Sequence, residues 1–448
     1  MLRWGRSSAE GAHLHSHAPV ELKGVASPRA VKAGTAVLLV LVALGTVFGL
    51  VALWPDQAGV DEVREQASSI LGGSATVRGE VLRVGEACPT DAGQSALTSA
   101  EGSDAASAAA PECVLVRVGL TSGPDTGRMV EVPVRGSQTS AGIRAGDRVE
   151  LVATERVLPE GSAPQQGGST GLTMNYALAG VDRALPLLLL ALLFAVVVVA
   201  VGRMRGLLAL VALSVSAAVL GFFVLPALVA GGPGLLIGMV GSTAIMFVTL
   251  FFVHGPNLRT AAALVGTLFG ILFVSGISVI AVSSTRLSGV GDESGGLLAG
   301  VATGIDLRGL LTCSILIAGL GVLNDITISQ ASSVWELRSA APQMPRREIY
   351  ARAMRIGRDH IASTVYTVVF AYVGAALGVL LLLSLLDAPV LSLLTREDIA
   401  IEIVRTLCGS VGLVLAVPVT TAVAAWFVPP HAAADSADAG GSGAAHPA

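Results

Sequence analysis

Two polar clusters interrupt the long apolar runs of this chain, and both hold side chains suited to proton or cation chemistry. The first is NDITISQASSVWELR, residues 324–338. On a helix, Asp325, Ser329, Ser332 and Glu336 fall on one face at spacings of four, three and four. Asp325 supplies a carboxylate for a proton or a small cation, with Asn324, Ser329 and Gln330 as neutral ligands. Ionisable groups at membrane depth are expensive and face a bundle interior or a wet cavity. A second reading places Asn324 and Asp325 at the mouth of a span, solvated by water. The other cluster is RIGRDHIAST, residues 355–364. There Asp359, Ser363 and Thr367 share one helical face, and His360, Thr364 and Thr367 a neighbouring one. A histidine beside a carboxylate can relay protons because imidazole titrates near neutral pH. Arg355 and Arg358 are equally the anchors that set topology, and salt bridging explains them without transport.

The elements that must position these groups are bilayer spans. The 448 residues are 53% apolar and 13% charged, where a soluble domain carries roughly 25% charged residues. Apolar runs of about 18 residues or more argue for spanning helices. They fall at 34–54, 185–201, 207–229, 235–253, 260–282, 309–323, 363–386 and 406–427, which predicts eight spans. Residues 297–307 read as either a re-entrant half-helix or an extension of the sixth span. Glu402 and Arg405 open the eighth as structural or topological residues. The first run leads into Trp54-Pro55-Asp56 without a small-residue cleavage site, so an uncleaved anchor is expected.

Arginines cluster in alternate loops, at Arg203 and Arg205, at Arg259, and from Arg338 to Arg358. By the positive-inside rule both termini are cytoplasmic. The expected organisation is a disordered cytoplasmic N-terminus over 1–33, a span over 34–54 and an extracytoplasmic β domain over 55–183. A seven-helix membrane domain over 184–427 and a disordered cytoplasmic tail over 428–448 follow. Short β-branched runs at 76–84, 113–120, 128–134 and 147–156 predict a small OB-like barrel. A disordered Ala/Ser-rich insert over 89–111 interrupts it. Cys88 and Cys113 flank that insert. In an oxidising exterior they can pair, closing a loop of roughly 25 residues worth about 3 kcal/mol; the alternative is two unpaired thiols.

The remaining signals narrow the function by exclusion. A net charge of −4 gives no basic field for nucleic acid. No phosphate-binding glycine loop, zinc-spaced set or nucleophile elbow is present in the sequence. Neither enzyme activity, a cofactor nor a bound metal is expected. Only Lys23 and Lys32 are lysines among 28 basic residues, which fits a GC-rich bacterial genome.

The segments 324–338 and 355–364, with EIVRTLCGSVGLVLAVPVTTA at 402–422, closely resemble the YibE/F-like family of bacterial multi-pass membrane proteins. The layout of one span, an extracytoplasmic domain and a cluster of spans agrees with it. The chain departs from the family pattern at Asn324, where Asp is common, and at Tyr366, where Asn is common. That leaves Asp325 alone in place of an acidic pair and weakens any two-carboxylate cation site. The resemblance implies a permease-like protein of the bacterial plasma membrane. A fainter similarity links Asn324-Asp325 and Glu336-Leu337-Arg338 to SecF-type members of the RND superfamily, by analogy of fold alone; it favours proton-motive-force coupling. Together these features predict a transporter or permease of a small solute or proton, with Asp325 as carrier and Asp359 with His360 as relay. The alternative is a non-transporting accessory protein whose β domain binds an envelope or secreted partner. Glycine-rich spans suit packing within one chain or in a homo-oligomer.

Overall fold

The computed structural model describes residues 29–70, 75–88, 113–135, 142–157, 172–291, 293–302, 304–385 and 389–429. The expected disordered insert over 89–111 lies outside them, as do 1–28 and 430–448 of the two terminal segments. Two compact units result. One comprises 58–207 with 300–303, and the other the residues before 58, 208–299 and those from 304 onward.

The smaller unit opens on a helix that the β-domain reading does not contain. Helix α1 (Arg29–Ala52) belongs to the larger unit, and α2 (Gln57–Ile70) follows it. Its Glu, Gln, Arg and Ala residues are good helix formers, and it buries Val60. Five antiparallel strands come next: β1 (Ala75–Ala87), β2 (Cys113–Leu120), β3 (Met129–Arg135), β4 (Arg148–Val157) and β5 (Leu172–Val181). Their order is β3-β2-β1-β4-β5, and the edge strands β3 and β5 approach each other, so the barrel is nearly closed. Alternate residues point inward. Val116, Val118 and Leu120 from β2 meet Val132 and Val134 from β3 and Val149, Leu151 and Ala153 from β4 in one apolar core. Pro133 sits on edge strand β3, where a missing N–H is tolerated.

A polar latch ties β5 to the turn between β2 and β3. The Tyr176 hydroxyl donates to Asp125 Oδ2 at 2.7 Å, and Arg128 Nη1 donates to Asp125 Oδ1 at 2.9 Å. These two hydrogen bonds hold the Asp125 carboxyl below its ordinary range. Burial, then the bond to Asp125, pushes the Tyr176 phenol up to about 12. Gly123 in the same turn has φ +94°, and a Cβ there would stand 2.9 Å from Val77; both facts require glycine. A disulfide joins Cys88, after β1, to Cys113, at the start of β2, with Cα atoms 5.3 Å apart.

The larger unit is helical, with most of its elements long and apolar. Its principal elements are α5 (Gly234–His254), α6 (Leu258–Ser284), α8 (Leu307–Ala340), α9 (Arg346–Ala375), α10 (Leu377–Ser384) and α12 (Glu397–Phe427). The preceding α3 (Ala184–Val219) belongs to the smaller unit as far as Leu207 and to the larger from Leu208, and passes through a widened turn at Leu220–Val224 into α4 (Leu225–Val229). Helix α3 is broken at Arg203, where φ is +52°. There the chain folds back so sharply that Gly206 lies against the Val198 carbonyl. Short helices α7 (Glu293–Val301) and α11 (Val390–Leu394) fill connections. Residues 297–301 therefore end a separate helix and do not extend α8.

Among the described residues six helices are long and apolar enough to cross a membrane, or seven when α9 and α10, bent by 63° at their junction, count as one. Small residues let them approach closely. Gly234 lies against Gly309, Gly266 against Thr420, and Gly412 against Val274, while a Cβ on Gly270 would come within 2.7 Å of Leu323. These contacts, with Gly238 against Cys313, make α5, α8 and α12 run one way and α6 the other. Gly276 and Gly321 meet no neighbour within 4 Å among the described residues.

Candidate functional site

Helix α8 continues unbroken from its apolar half through residue 340, so 324–338 is helical and its polar face forms. Helix α9 then returns antiparallel along that second half. Arg338 fixes the turn between them, donating through Nη1 to the Pro342 and Met344 carbonyls at 2.9 and 2.8 Å. Arg346, at the start of α9, donates to the Val428 carbonyl at 3.2 Å and lies over the Trp426 ring.

This hairpin brings the two polar clusters together. His360 Nε2 stands 3.7 Å from Asp325 Oδ2, a pairing across 35 residues of chain. The Asp325 side chain is 66% exposed and that of His360 42%, so the pair lies on the flank of the bundle. Among the described residues, His360 Nε2 and Asn324 Oδ1 are sequestered atoms without a hydrogen-bond partner. Depth along the bundle follows from packing. Leu323 meets Gly270, which is twelve residues from Leu258 and fourteen from Ser284, the two ends of α6. Asp325 is two residues beyond that midpoint, about 3 Å along the axis.

The other sequence candidates divide. Gln330 is buried and committed to packing: its Nε2 donates to the Ala353 carbonyl at 2.9 Å and to Thr421 Oγ1 at 2.8 Å. It therefore braces α8, α9 and α12, and a Cβ at Gly357 would come within 2.8 Å of its Oε1. Ser329 is half-buried, and its carbonyl accepts from the Ser333 hydroxyl at 3.0 Å. Asp359, Arg355 and Arg358 are exposed on α9. Arg405 forms an ion pair with Glu402 one turn away and reaches Ser314 Oγ at 3.4 Å through Nη2. Within the core, Thr267 and Thr327 share a hydrogen bond of 2.8 Å between α6 and α8. Neither threonine stood out in the sequence, because a buried hydroxyl pair has no spacing signature. Among the described residues no three His, Cys, Asp or Glu side chains converge on a metal site.

A match to the family of YibE/F-like proteins spans residues 190–430, more than half of the chain. The chain belongs to the YibE/F-like family. No curated protein and no solved structure matches it. The YibE/F-like region contains Asp325, His360, the Gln330 brace and the Glu402–Arg405 pair, and it excludes the barrel. With six or seven membrane-length helices, this YibE/F-like protein is a multi-pass membrane protein. Of the two departures from the family pattern, Asn324 is half-buried beside the pair, whereas the Tyr366 side chain is 62% exposed six residues along α9.

Proposed function

We propose that this chain is a proton-coupled transporter or permease of the bacterial plasma membrane, with Asp325 as the carrier carboxylate and His360 as its exchange partner. The observation that supports this best is the approach of His360 Nε2 to Asp325 Oδ2 within 3.7 Å near the mid-level of α6. An ionisable pair at such depth marks a proton or ion path unless it serves packing alone. Its exposure speaks against packing, since a carboxylate cannot face acyl chains and requires water or a partner on its open side. With Asp325 ionised and His360 protonated, attraction draws α8 and α9 together. A proton on Asp325 removes that attraction. Protonation is thereby tied to the relation of the two helices, with Asp359 one residue from His360 and open to exchange.

The membrane arrangement we propose has eight spans, and α3 supplies two of them. As one rod the 46 residues from Ala184 to Val229 would measure about 69 Å, more than twice a hydrocarbon core of about 30 Å. The fold-back at Arg203 divides them. The α5–α6 turn with Arg259 and the α8–α9 turn with Arg338 and Arg346 lie toward the same end of the bundle, which favours a cytoplasmic assignment for that end and both termini. The barrel then lies outside. Its strand order, with β1 between β2 and β4, favours the OB-like description.

The test is proton flux into sealed proteoliposomes under an imposed pH gradient and potential. Flux is expected to fall at least tenfold in Asp325→Asn and His360→Ala relative to wild type. Equal flux in all three correctly inserted proteins overturns the assignment. A second reading, an accessory role through the barrel, is favoured by Leu82, Val84 and Met129 exposed on its surface. Partner capture that requires those residues, with no flux, would select it.

A further inference from the structure

A cavity of about 650 Å³ opens between α8, α12, the α9–α10 corner and the stretch 289–298. Its walls are chiefly apolar, from Leu298, Leu310, Leu311, Val379 and Ile401. One part is polar and carries Ser314, Tyr372, Asp398, Glu402 and Arg405. Such a size, with a few convergent polar groups on an apolar wall, suits a small organic ligand. The sequence presents Glu402 and Arg405 only as residues opening a span, and nothing in their spacing announces a cavity.

What a ligand must offer follows from which polar groups are already satisfied. Asp398 meets Arg396 at 3.4 Å, and Glu402 meets Arg405 one turn away, so each carboxylate has its own cation. Neither carboxylate holds a sequestered oxygen without a partner. Arg405 differs. It gives Nη1 to Glu402 and Nη2 to Ser314 Oγ, while its Nε is sequestered and has no hydrogen-bond partner. Among the described residues lining the cavity, that Nε is the one side-chain polar atom in this condition. A buried donor left unpaired is destabilising, and an acceptor supplied from the cavity removes the penalty. The Tyr372 hydroxyl stands in the same lining as a second donor.

Charge then sets the kind of acceptor. The two ion pairs leave the polar part neutral, so a ligand carboxylate would bring an unmatched negative charge beside Glu402 and an apolar wall. An uncharged oxygen meets no such penalty. We infer that the cavity binds uncharged amphipathic carbonyl compounds, with the carbonyl oxygen beside Arg405 and Tyr372 and the apolar body against Leu298, Leu310 and Val379. The lining residues of α8 and α12 lie near the starts of both helices, so the cavity sits toward one end of the bundle. Ester carbonyls of membrane glycerolipids lie at such a level, at the edge of the hydrocarbon core. A glycerolipid ester and a free ketone or ester thus offer the same chemistry. The site is distinct from the Asp325 pair, since Ser314 and Asp325 are eleven residues apart on α8, about 16 Å. Occupancy does not require the proton pathway, because it can be measured without flux.

The experiment uses the full chain in nanodiscs of ether-linked phospholipid, which lacks ester carbonyls, with labelled benzophenone as the probe. Saturable binding above empty nanodiscs is expected. Diphenylmethane, which lacks the carbonyl, and diphenylacetate, which carries a charge, should each displace the probe at least tenfold less well than unlabelled benzophenone. Arg405→Lys keeps a cation for Glu402 and removes Nε, and should weaken the probe at least tenfold. Leu298→Trp, on a peripheral helix, should weaken it by occupying volume while leaving every polar group in place. Asp325→Asn should bind the probe as wild type does, even where its proton flux is lost. Ester-linked nanodiscs distinguish the sources: severalfold weaker binding there assigns the cavity to glycerolipid esters, and equal binding assigns it to a free solute. No saturable binding by wild type, equal displacement by diphenylmethane, stronger displacement by diphenylacetate, or unchanged binding in both cavity variants overturns the inference. Loss of flux alone bears only on the Asp325–His360 reading.

Discussion

The barrel and the helical bundle both have apolar cores, and they differ in the surface they present and in where their buried hydrogen bonds lie. In the barrel the interior is apolar, and the Tyr176–Asp125–Arg128 latch closes it from the edge. In the bundle the interior is apolar as well, from Leu250, Leu264, Ile315 and Leu323, but it also holds hydrogen bonds, Thr267 to Thr327 and Gln330 to Ala353 and Thr421, and many Leu, Val and Phe side chains face outward. Water rewards burial of apolar surface, so a barrel gains from a dry core. Lipid gives no such reward for bringing two apolar helices together, and the bundle relies on close approach at small residues and on internal polar bonds. Strand alternation therefore explains the smaller unit, and glycines with hydroxyls explain the larger one.

Close approach should be the more fragile of the two devices. Gly266→Leu places a side chain where Thr420 already stands, and nothing there is free to move without displacing α12. We expect destabilisation above about 3 kcal/mol and loss of the monodisperse protein in detergent. Recovery of a folded wild-type-like bundle would show that glycine contacts do not hold it.

A smaller effect should separate bracing from proton exchange inside the same hairpin. Gln330→Leu removes two buried bonds and should cost about 1–3 kcal/mol, seen as earlier thermal inactivation. Proton flux per folded molecule should stay as in wild type. A flux defect equal to that of Asp325→Asn would place Gln330 in the path.

The smallest effect belongs to the barrel latch. Tyr176→Phe should cost about 1 kcal/mol near neutral pH, read as faster hydrogen exchange in β5 and the β2–β3 turn of the full chain. Two limbs follow from linkage. The Asp125 carboxyl is lowered by its hydrogen bonds from Tyr176 and Arg128, so its contribution is present above the ordinary carboxylate range and fades as pH falls through the lowered value. The Tyr176 phenol is raised, by burial first, to about 12. Its contribution holds below pH 10 and is lost between there and about 12. The variant should flatten the alkaline limb; an unchanged limb would mean that the latch does not secure β5.

The same contrast decides what could be read from residues alone. Strand β2 is visible to the residue because CVLVRVGL alternates, and the apolar runs fall on helices of membrane length. Strand β5 is an edge strand with mixed composition, LTMNYALAGV, and α2 has too few apolar residues to declare its packing. The helical face through Asp325 is legible from spacing, and so is the His360 cluster. Their pairing is not, because it depends on where α8 turns into α9 and on Arg338 fixing that turn. Gln330 resembles a ligand in sequence because an amide serves equally as brace or donor, and only its partners distinguish the two. The cavity beside Glu402 needs four separate elements to exist at all.

At 34 residues, α8 is a rod of about 51 Å, well beyond a hydrocarbon core of about 30 Å. Eleven residues are close to three whole turns, so Ser314 and Asp325 lie near one meridian of that rod. A twist of α8 about its axis therefore swings both through the same angle and in the same sense. A slide along the axis displaces both by one distance. What happens at the level of Arg405 is felt at the level of His360 by torsion and thrust in a single stiff member, without a relay of intermediate side chains.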